Sequence, residues 1–301
     1  MGLSLRGEVS VPAHRHAGGF DHGDVHAPSG HVFVAHMSSG TIEVVDGQTL
    51  THLATIEDCA EASGVLSCPE DDLIVAAARG AGHVLVIDPA TNSVRHKIAV
   101  GGRPNGMAWD SKRRRLLVAD VEGNVVAIVK PSNGEVLAAG PLPGRSAWAA
   151  YESLSDRYLV NIRSTDQVVV IDPDSAEVRT TWRVSCAGPH GMDLNRDAHH
   201  AFIACEDGHL LVLDMTSGIQ LGAVEIAGNP DAIWFNPLCG HVYLAIGDPG
   251  VVQVVDALEM SVIETVETGL GAHTLALDPR RQQLYVFRPS TCSVLAYTVS
   301  R

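Results

Sequence analysis

Seven positions of this 301-residue chain stand 42 residues apart: Asp46, Asp88, Lys130, Asp172, Asp214, Asp256 and Thr298. Five of them are Asp, and every one follows an apolar run. The clearest copy of the unit between them runs from Gly82 to Asp120. It holds an alternating run ending at Asp88, a polar turn and a second alternating run, Val94 to Val100. A Gly-Gly-x-Pro-Asn-Gly corner follows, then a short apolar strand, a charged turn and the run Leu116 to Ala119. Such a unit is four short strands joined by turns. Seven copies at that period predict an all-β, seven-bladed β-propeller with four-stranded antiparallel blades.

A propeller uses its whole length in one ring, so residues 1–301 are expected to form a single domain. Residues 3–11, LSLRGEVSV, resemble the fourth strand of the template, SVRHKIAV (93–100), while only three strands follow His273. The N-terminal strand is therefore expected to complete the last blade and leave no open radial edge. With 5% aromatic residues, Val, Ile, Leu and Ala must fill the spaces between blades. The formal charge of -14 argues against nucleic acid or an anionic membrane surface as partner and permits a protein partner. No run approaches the roughly 20 apolar residues of a membrane span, and the first 20 residues lack a signal-peptide core. The expected location is cytoplasmic, or periplasmic if a leader preceded this sequence. Six cysteines without a CxxC pair read as reduced, mostly buried thiols, with Cys59–Cys68 the one sequence-local pairing to check.

The corners align at Asp21, Ala62, Asn105, Ala147, His190, Asp231 and His273, at spacings of 41, 43, 42, 43, 41 and 42. No interval leaves room for an inserted domain or lid. The pattern V-x-V-I-D-P-x-T-x-x-V-x-x-I-x-V-G-x-x-P-x-G, with a following strand ending in V-A, resembles the YVTN-type repeat of bacterial seven-bladed propellers. The opening FDHGDVHAPSGHVFVAHMSSGTIEVVD (20–46) resembles YncE-like members more narrowly. The resemblance covers essentially the whole chain and implies the propeller fold. It leaves function open, since related propellers include lactonases, a streptogramin lyase and surface-layer modules. Lys130, Thr298 and the corner RSAWAA (145–150) depart from the pattern.

In a propeller each innermost strand starts at the mouth of the central channel, and the second strand ends near the same face. Residues 42 apart in sequence therefore share one funnel. The corners bring Asp21, His22, Asn105, His190, Asp231 and His273 there; second-strand ends bring His36, Asp120, Cys205, Glu206, Arg163 and Arg288. Imidazole with carboxylate suits a transition-metal ion such as Zn, Mn, Fe or Cu. The expected ligands are His22, His190 and His273 with Asp231 or Asp21 as ligand or orienting partner, and His36 as a further candidate. Asp231, Asp120 and Glu206 are candidate general bases. Arg163 and Arg288 could grip a substrate carboxylate, with Asn105 and Trp148 walling the ligand. A metal there would activate water for lactone or ester hydrolysis, or steady an enolate for a lyase acting on a small molecule. The alternatives are a metal-free ligand site, a purely structural role for these side chains, and a non-catalytic scaffold binding a protein or small ligand.

The other histidines have simpler roles. His31, His83, His209 and His241 follow glycines and open strands; His199 and His200 lie in a charged turn; His26 is expected at the surface. His14 and His16, on the connector, could fold over the funnel. KRRR (112–115) reads as a solvated turn. The sequence has no GxSxG elbow, P-loop or HExxH. Trp109, Trp148, Trp182 and Trp234 do not repeat at one position, which gives no support to a stacked cofactor box.

Overall fold

A computed structural model describes residues 2–300 as seven four-stranded antiparallel sheets set in a ring. Blades 1 to 6 cover residues 23–56, 62–99, 104–141, 146–183, 189–225 and 230–267. Blade 7 takes its inner three strands from residues 274–300 and its outer strand from Gly2–Ser10. That N-terminal strand pairs antiparallel with Ser293–Ser300 across a bulge between Leu5 and Gly7, as expected from the sequence. Val9 and Val11 then reach into the core shared by blades 7 and 1.

Each interface between neighbouring blades holds its own apolar cluster, and the seven clusters match the seven interfaces. The clusters are filled mainly by Val, Ile, Leu and Ala, with Tyr158, Tyr243 and Tyr285 as the largest fully buried side chains. Fully burying one such residue contributes about 1.5–3 kcal/mol, so the interfaces rather than the exposed outer strands hold the ring together. Inner strands of successive blades touch all the way round, which lines a central channel.

The repeated aspartates have a local cause. Asp46 Oδ1 accepts the backbone N–H groups of Gln48 (2.7 Å) and Thr49 (3.0 Å), and Asp88, Asp172 and Asp256 do the same two and three residues on. The carboxylate thus closes the hairpin between the third and fourth strands, which explains the period by turn chemistry.

A second device staples inner strands to each other. Asp24 Oδ2 accepts the N–H of Ser67 in the next blade at 2.8 Å, and Asp193 Oδ2 accepts that of Phe235 at 2.7 Å. Burial pushes the Asp24 carboxyl up to about 7, against the Ser67 and Val25 N–H donors that favour its charge. A carboxyl raised on folding stabilises fully below its unfolded pKa and loses that stabilisation as pH rises through the folded one. Wild-type protein should therefore lose roughly 2–4 kcal/mol between about pH 4 and 7 from this group. Asp24→Asn should start less stable, because its amide faces an N–H donor, yet show a flatter profile. Urea midpoints across that window check this, and an unchanged slope in the variant would refute it.

Candidate metal centre

The corner alignment puts its residues at the starts of inner strands. His190 and Asp231 are the second residues of Pro189–Asn195 and Pro230–Asn236, where a proline can open a strand without losing a ladder bond. His273 lies one residue before Thr274–Asp278, and Asp21 and His22 precede Gly23–His26. The four blades aim these side chains at one point. Asp231 Oδ1 lies 3.2 Å from His22 Nε2 and 3.1 Å from His190 Nε2, while Oδ2 lies 3.6 Å from His273 Nε2. Asp21 Oδ1 is also 3.2 Å from His22 Nε2. One ligand atom each of Asp21, His22 and Asp231 fall within 4.8 Å of one another.

Asp231 and His190 are in the protonation states a cation needs, whereas His22 would have to give up a proton to bind one. Asp231 is held well below the usual carboxylate range: burial opposes this, but His190 and His22 outweigh it. For His190, burial lowers the pKa and prevails over the pull of Asp231, which favours the neutral, metal-ligating ring. Burial also opposes the charged form of His22, but Asp21 and Asp231 together hold its pKa above the usual value. His273 Nδ1 donates to Gly271 O at 2.7 Å, so its Nε2 carries the free lone pair. Second-sphere fixing of the tautomer in this way is common at metal-bound histidines. His190 Nδ1 is buried without a hydrogen-bond partner among the described residues, 3.7 Å from Glu206 Oε1. Ligand atoms about 2.0–2.2 Å from one ion sit about 3–3.5 Å apart, close to the separations of Asp231 from His22 and His190. His190 and His273 lie outside the mutually close set of Asp21, His22 and Asp231 and would have to close in to share an ion with it.

Around this centre lies a polar cavity of about 170 Å³, bordered by Arg79, Asn105, Arg145 and Arg163 among others. Arg79 bonds Asp21 Oδ2 at 3.1 Å and also Asn105 Oδ1. Arg163 is engaged by Glu206. Sequence reasoning missed Arg79 and Arg145. Arg79 sits one residue past the strand Leu73–Ala78, as Arg163 sits one past Arg157–Ile162, so the rule that found the second applies equally to the first.

Several expected residues take other roles. His36 is fully buried away from the centre: its Nδ1 meets Glu43 Oε1 at 3.0 Å and its Nε2 meets His14 at 2.7 Å. His14 accordingly packs on His36 and bonds Pro289 O rather than folding over the funnel. Asp120 Oδ1 accepts the backbone N–H groups of Arg103, Glu122 and Gly123 at 3.1, 3.0 and 2.9 Å, so it caps a turn. Arg288 pairs with Glu8 across the ring closure. Trp148 packs against His22 with ring centroids 4.4 Å apart and the rings tilted by 58°. Asp21 and His22, adjacent in sequence, each reach the centre.

Two corrections concern residues outside the centre. His26 is buried, bonding Ser29 and Asp72, because its position ends an inner strand rather than lying on an outer turn. Cys186 and Cys205 form a disulfide with Cα atoms 6.2 Å apart, whereas Cys59 and Cys68 stay free and buried. Pairing follows the blade-5 geometry: the loop before Pro189 runs beside the end of the strand that leads to Glu206.

The fold places the chain among seven-bladed β-propellers. Two curated proteins are similar in sequence, both named uncharacterized protein YncE. The one from Salmonella typhi is 26% identical over 168 residues, 54% of this chain and 47% of its own length. The one from Salmonella typhimurium strain LT2 is 25% identical over 220 residues, 67% of this chain and 62% of its own length. The similarity therefore spans less than two thirds of either relative. No protein-family profile matches the chain. Among the described residues no helix is long and apolar enough to cross a membrane.

Proposed function

We propose that this chain is a metal-dependent small-molecule enzyme of the hydrolase or lyase class, with its site at the channel mouth. His22, His190, His273 and Asp231 would hold a transition-metal ion, with Asp21 orienting His22 and Glu206 facing the far nitrogen of His190. The observation that carries this reading is the convergence of three imidazole Nε2 atoms on the one Asp231 carboxylate. With an ion held there, these residues would supply a site for water activated to a pKa of about 7, or for a stabilised enolate.

The chain's own groups do the rest. Arg145 borders the cavity, and among the described residues its backbone is engaged by Ser164 and Arg163 while its guanidinium is not, so the guanidinium can meet a polar or anionic substrate group. Asn105 and Ser146 add polar contacts at the same wall. With Asp231 spent as a ligand and Asp120 as a turn cap, Asp21 and Glu206 are the carboxylates close enough to move a proton.

The test is elemental analysis of protein purified without a histidine tag. One transition-metal ion per chain is expected, falling to background in His190→Ala. A metal-free wild type, even after incubation with each candidate ion, would overturn the reading. Turnover of small lactones and esters that disappears in the same variant separates an enzyme from a metal-binding scaffold.

A further inference from the structure

Beneath the polar mouth the channel changes character. A second cavity of about 300 Å³ runs down the inner strands, from His22 and Asn105 to Ser111, Ser153 and Arg196 at their far ends. Its wall is apolar and aromatic: Trp109, Trp148, Trp234, Tyr151, Met107 and Met192. These come from the inner strands of blades 3, 4, 5 and 6.

Two of the indoles are fixed by hydrogen bonds through their N–H groups: Trp109 Nε1 donates to Glu70 Oε2 at 2.5 Å, and Trp234 Nε1 to Leu275 O at 3.0 Å. Trp148 is braced by His22. The rings are therefore held in place with their polar atoms already satisfied. Asp193 and one N–H of Arg196, on the same wall, have backbone partners. Asp193 accepts the N–H groups of Leu194 and Phe235, and Arg196 donates to Tyr151 O at 3.2 Å. Water in such a space finds few partners, so an apolar guest displaces it favourably.

We infer that this channel is a binding site for a flat, uncharged aromatic molecule of bicyclic size. Small-molecule sites run about 300–1,000 Å³, and this one lies at the lower limit, which suits a fused two-ring guest better than a long acyl chain. The guest stacks among preset indoles at low entropic cost. Entry is from the face opposite the candidate metal centre, where Ser111 and Ser153 follow the inner strands Pro104–Asp110 and Ser146–Glu152. None of the three tryptophans is a ligand in the proposed function, so the site stands whether or not a metal binds.

Titration calorimetry with 2-naphthol, uncharged at neutral pH, tests it on chelator-treated full-length protein. One-to-one saturable binding is expected, weakened at least tenfold in Trp109→Ala and largely restored in Trp109→Phe. Naphthalene-2-sulfonate should bind at least tenfold more weakly than 2-naphthol. Absence of saturable binding to folded wild type, or equal affinity in Trp109→Ala, overturns the site; equal affinity for the sulfonate overturns its preference for an uncharged guest.

Discussion

Asp231→Ala is expected to abolish stoichiometric metal binding while leaving a folded propeller. Among the described residues, the carboxylate is the group that all three converging imidazoles face, at 3.1–3.6 Å. Losing an outer-shell partner costs about 10–100-fold in metal affinity, and losing a ligand that also anchors the geometry should exceed that range. Asp231→Asn keeps the size and one oxygen, so it should fall between the variant and wild type. Competition against a chromophoric chelator measures both, with circular dichroism confirming the fold. The fold should survive because Asp231 belongs to neither apolar cluster that flanks blade 6; its removal strands polar nitrogens at a cavity wall that water reaches. Wild-type affinity in Asp231→Ala would eliminate this carboxylate, and with it the centre, from the mechanism.

The ring and the convergence of its corners were legible in the sequence because both follow from one period. Asx turns fix the period, and a closed ring carries equivalent positions to equivalent places, so His190, Asp231 and His273 meet as expected. Side-chain direction was less legible. Asp120 ends its second strand as Cys205 does, one residue short of the position of Glu206, and Gly123 and Glu122 fold their N–H groups back onto its carboxylate. His36 ends its second strand at the same offset, but Glu43 on the adjacent strand captures it. The aromatic channel was missed for another reason. Trp148, Trp234 and Trp109 stand at different offsets from their corners, and a strict period-two reading scatters them. The inner strands of blades 3 to 6 carry register shifts just after the corner, such as that between Pro104 and Met107, which break strict alternation. All three rings consequently line one cavity. Cysteine pairing failed similarly, since Cys186 and Cys205 approach through blade packing and not through sequence proximity.

Glu43→Ala should be the most destabilising single change in blade 1, at about 3–5 kcal/mol. The carboxylate is 0% exposed and accepts four hydrogen bonds: Thr41 Oγ1 (2.7 Å) and His36 Nδ1 (3.0 Å) to Oε1, Thr55 Oγ1 (2.6 Å) and His52 Nε2 (2.9 Å) to Oε2. Truncation strands the donors of His36 and Thr41, both fully buried, where each unmet group costs about 1–3 kcal/mol. It also unseats His36, which links through His14 to Pro289 and so ties blade 1 to blade 7. Burial alone would raise the carboxyl, but the four donors prevail and hold it down to about 2. A depressed carboxyl stabilises above its unfolded pKa, near 4.5, and that contribution disappears as pH falls towards 2. Glu43→Gln, which keeps the shape without the charge, should lose about 1–3 kcal/mol at neutral pH and lack this group's acid-dependent loss. Urea unfolding at neutral pH and through the acid range reads both effects. A Glu43→Ala midpoint within error of wild type would show that the buried carboxylate does not hold the first blade to the last.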